Sequence, residues 1–223
     1  MTTLPELSLT ETRVLGVLVE KQHTVPDTYP LSLLALTAGC NQKTSRDPLM
    51  NATESEVQAA VDRLKLHSLV VESSGGRVMR YAHNIGRVLA IPAQAVALLA
   101  VLMLRGPQTV GELRINCDRL HRFADTSAVE AFLNELAARE AGALVVLLPR
   151  QAGAREARWA HLLSGAPPSR ASAEPATVEA ETASGTSSHI AALEARMAQL
   201  ADEVEALKAT VAKLAAALGD SAS

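Results

Sequence analysis

The sequence predicts a mainly helical α+β protein, because an order of three helices followed by a β-hairpin occurs twice along the chain. This order is typical of winged-helix domains, and we predict two of them in tandem, over residues 1–85 and 86–164. Residues 165–188 are rich in Ala, Ser, Thr and Pro and predict a flexible linker. A heptad pattern over residues 189–219 predicts a C-terminal coiled-coil helix.

The first two helices have distinct start signals. Ser8, with Glu11 three residues later, is typical of a capping box, and the apolar periodicity that follows predicts a helix ending near Thr24. We expect the second helix to begin at Tyr29 and Pro30, with the proline in its first turn, where its missing N–H leaves no hydrogen bond unmade.

A long polar loop, a third helix and a hairpin complete the first domain. Residues 41–51 form the loop, which the fold alone does not require. A second capping-box pattern starts the third helix near Thr53. Residues 69–72 and 77–81, on either side of a Gly-Gly turn, predict the two strands of the hairpin.

The second domain repeats the same order. Residues 92–104 predict a buried helix, which a Gly-Pro pair ends. Residues 110–120 and 126–140 predict the second and third helices. Residues 143–148 and 157–162 predict the strands of a second hairpin, with the wing tip between them.

Charge and composition weaken the case for nucleic-acid binding. The net charge is −3, divided as −1 over residues 1–83, +2 over residues 84–164 and −4 over residues 165–223. No segment is strongly basic, and only 2% of the residues are aromatic. Neither bulk electrostatics nor base stacking therefore indicates this class of partner.

The sequence also bears on compartment and cofactors. Cys40 and Cys117 have no zinc-type spacing, so we expect two reduced, buried thiols and no metal or other cofactor. Residues 1–7 lack the basic and apolar regions of a signal peptide. The longest apolar run, residues 91–104, is too short to span a membrane. We expect a cytoplasmic protein without membrane contact.

The tail has the most regular pattern in the chain. Apolar residues recur at alternating intervals of three and four, with Leu at every d position, which favours a parallel two-stranded coiled coil. The alternative is a single amphipathic helix that docks onto the body, because Ala occupies several e and g positions. The residues predicted to dimerise are Ile190, Leu193, Met197, Leu200, Val204, Leu207, Val211, Leu214 and Leu218.

The outward faces of the third helices are unusual for DNA recognition. A third helix that enters the major groove presents Arg, Lys, Asn or Gln to the bases. Here the outward residues are mostly small, neutral or acidic. They are Ser55, Gln58, Ala59 and Asp62 in the first domain and Ser127, Glu130, Ala131, Asn134 and Ala138 in the second.

Basic side chains lie in the long loop, in both hairpins and on the second helix of the second domain. Arginine pairs bidentately with phosphate or carboxylate, so two interpretations stay open. The wings contact phosphate, or the arginines pair with local carboxylates such as Glu112, Glu140 and Glu156. The candidates for binding nucleic acid or a partner are Lys43, Arg46, Arg77, Arg80, Arg114, Arg150, Arg155 and Arg158.

The long loop also allows two interpretations. As a recognition loop it would bind a protein or a nucleic acid, and we expect this role of Lys43. As a structural element, Asn41 caps the second helix, Asp47 and Pro48 make a turn, and Arg46 ties the loop to the body.

Several short motifs between residues 8 and 163 form a specific set. They include Glu20-Lys21, Pro26-Asp27-Thr28-Tyr29-Pro30, Cys40-Asn41-Gln42-Lys43, Arg105-Gly106-Pro107-Gln108-Thr109 and Leu148-Pro149-Arg150. With these motifs the chain resembles the YceH-like family of uncharacterised bacterial proteins. The resemblance implies tandem winged helices and no particular activity.

The sequence offers no catalytic motif, and two non-catalytic functions stay open. The histidines are scattered, without a nucleophile or carboxylate at motif spacing, so we expect no enzyme. The first function is a DNA-associated, transcription-regulatory homodimer that uses its wings and loops. The second is a non-catalytic protein-interaction scaffold without direct DNA contact. Analogy with other winged-helix proteins places the first narrowly ahead, and the third-helix faces favour the second.

Overall fold

A computed structural model describes residues 6–73, 78–150 and 153–166. This part of the chain has seven α-helices, a 3-10 turn and five short strands, so the mainly helical α+β class is confirmed. The predicted coiled coil, and the predicted linker after residue 166, lie outside the described residues. The elements are α1 (Leu9–Thr24), β1 (Leu31–Ser32), α2 (Leu33–Cys40), α3 (Glu54–Leu66), β2 (Val70–Ser73), β3 (Arg80–His83), α4 (Ile85–Leu89), α5 (Ala93–Arg105), α6 (Val110–Cys117), α7 (Thr126–Ala137), β4 (Val145–Leu147) and β5 (Trp159–His161).

Three helices begin with the same reciprocal cap. In α1 the Ser8 hydroxyl accepts a hydrogen bond from the Glu11 N–H, and the Glu11 carboxylate accepts one from the Ser8 N–H. The same pair of bonds caps α3 and α6. These caps satisfy N–H groups that a helix start leaves free. The predicted starts of the first and third helices are therefore confirmed.

The start of α2 corrects the sequence analysis. Tyr29 and Pro30 do not begin the helix, because the next two residues form β1, where Leu31 pairs with β3. The helix begins only after Ser32, whose hydroxyl accepts an N–H of the first turn at 3.3 Å. The proline was a misleading signal, since the extended chain that follows it adds a third strand to the hairpin.

Each half has a small antiparallel sheet. The first has the strand order β1-β3-β2, and its return strand starts at Arg80, three residues later than predicted. In the second, β4 pairs with β5, and Gln108 forms a bridge with Trp159. In both halves, therefore, the segment before the second helix pairs with the return strand of the hairpin.

The second half follows the predicted order of α5, α6, α7 and a hairpin. The α5 helix is buried along most of its length and ends at Gly106, whose φ of 72° is a conformation that glycine adopts at little cost. The short helix α4 was not predicted, because its five residues are too few to show a helical period.

One hydrophobic core extends through both halves. The helices α1 and α5 pack closely, since a Cβ added to Gly16 would lie 3.0 Å from Leu104 Cγ and 3.4 Å from the carbonyl oxygen of Ala100. Leu, Val and Ala supply most of the core, as the low aromatic content predicts. The described residues belong to one compact unit, and the division between residues 85 and 86 stays a prediction.

The two cysteines occupy matching places. Cys40 ends α2 and Cys117 ends α6, and both are buried and outside any disulfide, as predicted.

Among the helices of the described ranges, none is long and apolar enough to cross a membrane.

Candidate functional site

The return strands of the two hairpins have nearly the same sequence. The residues from Arg80 are Arg-Tyr-Ala-His, and those from Arg158 are Arg-Trp-Ala-His. Tyr81 and Trp159 are both buried. This repeat was not predicted, although the shared residues at equivalent hairpin positions are a direct signal of it in the sequence.

The arginine of this repeat has the same role in both halves. Arg80 Nη1 donates to the Pro30 carbonyl at 2.8 Å, and Arg158 Nη1 donates to the Pro107 carbonyl at 2.9 Å. Each arginine therefore fastens its hairpin to the segment before the second helix. Arg158 also donates to both oxygens of the Glu112 carboxylate, at 2.9 and 3.0 Å. For these two candidates the structure favours local pairing over phosphate contact.

The other predicted binding residues differ in their contacts. Arg150 and Arg155, in the second hairpin, are exposed, and neither forms an ion pair with another residue of the described ranges. Arg114 is exposed on α6 and donates to a carbonyl of the following loop at 3.1 Å. Lys43 is exposed on the long loop. Arg77 lies outside the described residues.

Residues 41–52, which join α2 to α3, form what we call the braced loop. A buried arginine of α1 joins the last residue of α2 to a proline within this loop. Arg13 is fully buried, and it donates to the Cys40 carbonyl at 3.2 Å and to the Pro48 carbonyl at 2.6 Å. Among the described residues, its Nε has no hydrogen-bond partner.

A second buried arginine lies within the braced loop itself. Arg46 Nε donates to the Gly39 carbonyl at 3.1 Å, and its two terminal nitrogens donate to the Glu20 carboxylate at 3.1 and 2.6 Å. Its side chain is fully buried. A buried guanidinium that is already paired has no free donor to offer a partner, so this geometry gives the binding role predicted for Arg46 no support. The structural alternative, in which it ties the loop to the body, is confirmed.

Further contacts fix the rest of the braced loop. The Asn41 side chain accepts from the Ala52 N–H and donates to its carbonyl, both at 2.8 Å. Arg105 donates to the Ser45 hydroxyl at 2.6 Å, and the Asp47 N–H donates to the last turn of α5 at 2.8 Å. Asn41 is also the C-cap of α2, as its structural interpretation predicted.

The two arginine–glutamate pairs lie in different environments. Burial acts to raise the pKa of Glu20, but the hydrogen bond and charge of Arg46 hold this pKa below its ordinary value. Partial burial acts in the same way on Glu112, whose pKa is lowered by hydrogen bonds from Thr109 and Arg158. The side-chain exposures are 0% and 14% for the first pair, against 41% and 42% for the second. Only the first pair is removed from solvent.

The braced loop therefore presents a fixed surface. Burying charged groups is costly, and in some proteins such groups select one conformation. Here the anchored loop leaves Lys43 exposed and Leu49 61% exposed. Lys43 remains a candidate for contact with a partner.

The outward face of α3 borders a shallow groove against α2. Gln58 accepts a hydrogen bond from the Tyr81 hydroxyl and donates one to Asp62, both at 3.0 Å, so its amide already has partners. The groove has a volume of about 460 Å³. We call it the α2–α3 groove, and its lining residues are Leu33, Glu54, Ser55, Gln58, Ala59 and Asp62.

The outward face of α7 is similarly free of basic groups. All five positions predicted to face outward are exposed. Two of the exposed residues on this helix, Glu130 and Glu135, are acidic. Carboxylates at these positions would repel the phosphates that flank a major groove.

Burial shifts the pKa of two histidines and two cysteines. Burial lowers the pKa of His83 and of His161 to about 4, so both are neutral at neutral pH. Burial raises the pKa of Cys40 and of Cys117 to about 12, which keeps both thiols protonated and weakly nucleophilic. Within the described ranges, these groups have structural surroundings.

Comparison with known proteins agrees with the resemblance. A family model described as "Protein of unknown function, DUF480" matches residues 7–154. The chain belongs to this family. A UPF0502 protein of Burkholderia multivorans is 60% identical over 218 residues, covering 97% of this chain and 91% of that protein. A UPF0502 protein of Dechloromonas aromatica is 59% identical over 205 residues, covering 92% and 94%. The predicted membership of an uncharacterised bacterial family is thus confirmed.

Proposed function

We propose that the protein is a cytoplasmic, homodimeric scaffold that binds partner proteins through two tandem winged-helix domains, without catalysis and without direct DNA contact. The order of three helices and a hairpin in each half supports the winged-helix assignment. The function rests mainly on one observation. In both halves the outward positions of the third helix are small, neutral or acidic where a DNA reader needs donors and positive charge, and Arg63, which flanks these positions on α3, is paired with Glu11.

The arginines of the hairpins also support a protein partner. In a winged-helix protein that uses its wing on DNA, the wing arginines need to be available to phosphate. Arg80 and Arg158 instead bond to carbonyls of their own domain, and Arg158 is paired with Glu112. These contacts within the chain compete with any use of the two arginines on phosphate.

The test is titration of a fluorescently labelled mixed-sequence duplex with the full chain, at low and at near-physiological salt. We expect the anisotropy to stay flat at low salt, because no described third-helix face attracts phosphate. Salt-sensitive binding in the micromolar range would contradict the scaffold and support a DNA-associated function instead.

DNA association through the second wing is the other candidate, since Arg150 and Arg155 are exposed. If the duplex binds, Arg150→Ala with Arg155→Ala will weaken binding to all sequences and reduce the salt slope by about 2. The matched control is Arg119→Ala with Arg122→Ala, which removes two exposed arginines elsewhere. An equal effect of both double variants would exclude specific contact by the wing.

The homodimer is proposed from the heptads of residues 189–219, which lie outside the described residues. A parallel coil would bring four winged-helix domains together. Light scattering of the full chain at micromolar concentration tests this, and we expect twice the mass of one chain. Leu200→Pro, which breaks a helix interior, is expected to return the mass to that of a monomer.

A further inference from the structure

The α2–α3 groove is lined by small and polar residues of α3 and by one leucine of α2. Ser55, Ala59, Asp62 and Leu66 recur at intervals of three and four on α3 and so share its outward face. Leu66 is 81% exposed at one end of this face. The small side chains of the first two residues allow the backbone of a partner to approach closely.

The α2 side of the groove is also apolar. Leu33 is half-buried in the lining of the groove, and its neighbour Leu34 is 68% exposed. The α2 helix has no charged residue. Exposed leucines on both helices that border a groove are typical of surfaces that bury a partner's apolar side chains.

The charges around the groove are negative. Glu54 and Asp62 belong to its lining. Lys65 Nζ lies 3.8 Å from Asp62, but it also donates to Glu72, so these three residues together have a net charge of −1. With Glu54 the net charge around the groove is −2.

We propose that the α2–α3 groove binds a basic amphipathic helix of a partner protein, an assignment that rests on the scaffold function and specifies its partner. Glu54 and Asp62 are eight residues apart on one helix, or about 12 Å. The complementary helix therefore has two cationic groups about two turns apart and leucines between them. The chain's own tail is a poor match, since residues 165–223 have a net charge of −4.

The experiment measures binding of two labelled peptides of about 18 residues to the full chain. One has a helical pattern of Leu and Lys, and the other has Glu in place of every Lys. We expect the Lys peptide to bind in the micromolar range and the Glu peptide to bind at least about tenfold more weakly. Equal binding of the two peptides would overturn the proposal.

Matched variants locate the binding site. Glu54→Lys with Asp62→Lys is expected to weaken binding of the Lys peptide by about tenfold or more. The control is Glu130→Lys with Glu135→Lys on α7, which changes the net charge equally and is expected to leave the affinity within about twofold. Equal losses in both double variants would show attraction to overall charge and would overturn the assignment.

A second pair of variants tests the groove without altering charge. Ala59→Trp fills the groove, whereas Ala131→Trp adds the same bulk at an exposed position of α7. Only the first is expected to block the peptide, and unchanged binding would overturn the proposal.

If Ala59→Trp or the charge reversal at the groove instead lowers the mass of the assembly, a second copy occupies the groove and the partner-helix proposal is wrong. Duplex titration tests the scaffold separately, so the groove assignment can fail while that function stands.

Discussion

The two halves of the molecule fasten their hairpins in the same way but differ in the loop that joins their second and third helices. In each half an arginine of the return strand donates to the carbonyl of an equivalent proline. Each second helix begins after a hydroxyl cap and ends in a buried cysteine. Only the first half, however, has the long braced loop with its two buried guanidinium groups.

This difference separates two uses of arginine. In the repeated position, a partly exposed guanidinium joins a strand to a loop carbonyl, which requires little desolvation. At the braced loop, Arg13 of α1 and Arg46 are removed from water, and among the described residues only Arg46 of the two has a carboxylate at hydrogen-bond distance. Removing one partner of a buried charge is strongly destabilising, so we expect the braced loop to depend on these contacts.

The largest expected effect distinguishes the two ion pairs. Glu20→Gln leaves Arg46 buried without its counter-charge, and we expect a loss of about 3–5 kcal/mol in the free energy of unfolding. Glu112→Gln breaks the exposed pair with Arg158 and keeps a capping residue at α6, so the expected loss is about 1 kcal/mol or less. Urea unfolding followed by circular dichroism measures both. Equal losses would contradict the comparison.

A smaller effect is expected from two glycines of the second helices, one near the end of α2 and one in the first turn of α6. A Cβ on Gly39 would lie 2.6 Å from Val17 Cγ1, so Gly39→Ala overpacks the α1–α2 contact and is expected to cost about 1–3 kcal/mol. Gly111 of α6 has no such neighbour, and Gly111→Ala is expected to stabilise by about 0.5 kcal/mol. Thermal unfolding of the two variants tests this, and a stabilised Gly39→Ala would show that α1 can move away.

The smallest expected effect is a pH dependence of stability from His83 and His161, which have the same position in the two halves. Burial lowers the pKa of His83 and His161 to about 4 in the folded protein, against an ordinary value of 6.5. The unfolded chain therefore binds more protons between these values, and stability decreases as the pH falls from about 6.5 to about 4. Losses from Glu20 and Glu112 belong to lower pH, because their folded pKa values lie below 4.5.

Unfolding free energies across this pH range check the histidine prediction. We expect His83→Gln and His161→Gln to reduce the pH dependence by similar amounts, because both occupy the last position of a return strand. A pH dependence that is unchanged in both variants would assign the acid sensitivity to other groups.

Most helices and strands could be predicted, because their signals lie in neighbouring residues. Contacts between residues that are far apart in the sequence could not be predicted. The cap at Ser8 depends only on Glu11, three positions later, so it could be predicted from the sequence. The partner of Arg46, Glu20, is 26 residues away in the sequence. The structural role of Arg46 could therefore be predicted only as one of two alternatives. The beginning of α2 was misplaced because its preceding residues extend to pair with β3, almost fifty positions later.

The candidate site divides in the same way. The absence of basic residues from the third-helix faces follows from helical periodicity and was predicted. The role of Arg80 was not, because it depends on the carbonyl of Pro30, which the fold brings beside the hairpin. The repeat of four residues in the two return strands pointed to a common role, but only the structure identifies the acceptor.

The close contact of Gly16 with Leu104 has a consequence for how the protein can be divided. Because α1 and α5 bury each other, separation of the chain near Ala90 would expose an apolar face on each fragment. Such fragments are poor candidates for independent expression. When produced together they have complementary surfaces, and we expect them to reassemble without a peptide bond between them. The protein is therefore suited to use as a split reporter, in which the two fragments associate through the interface between α1 and α5.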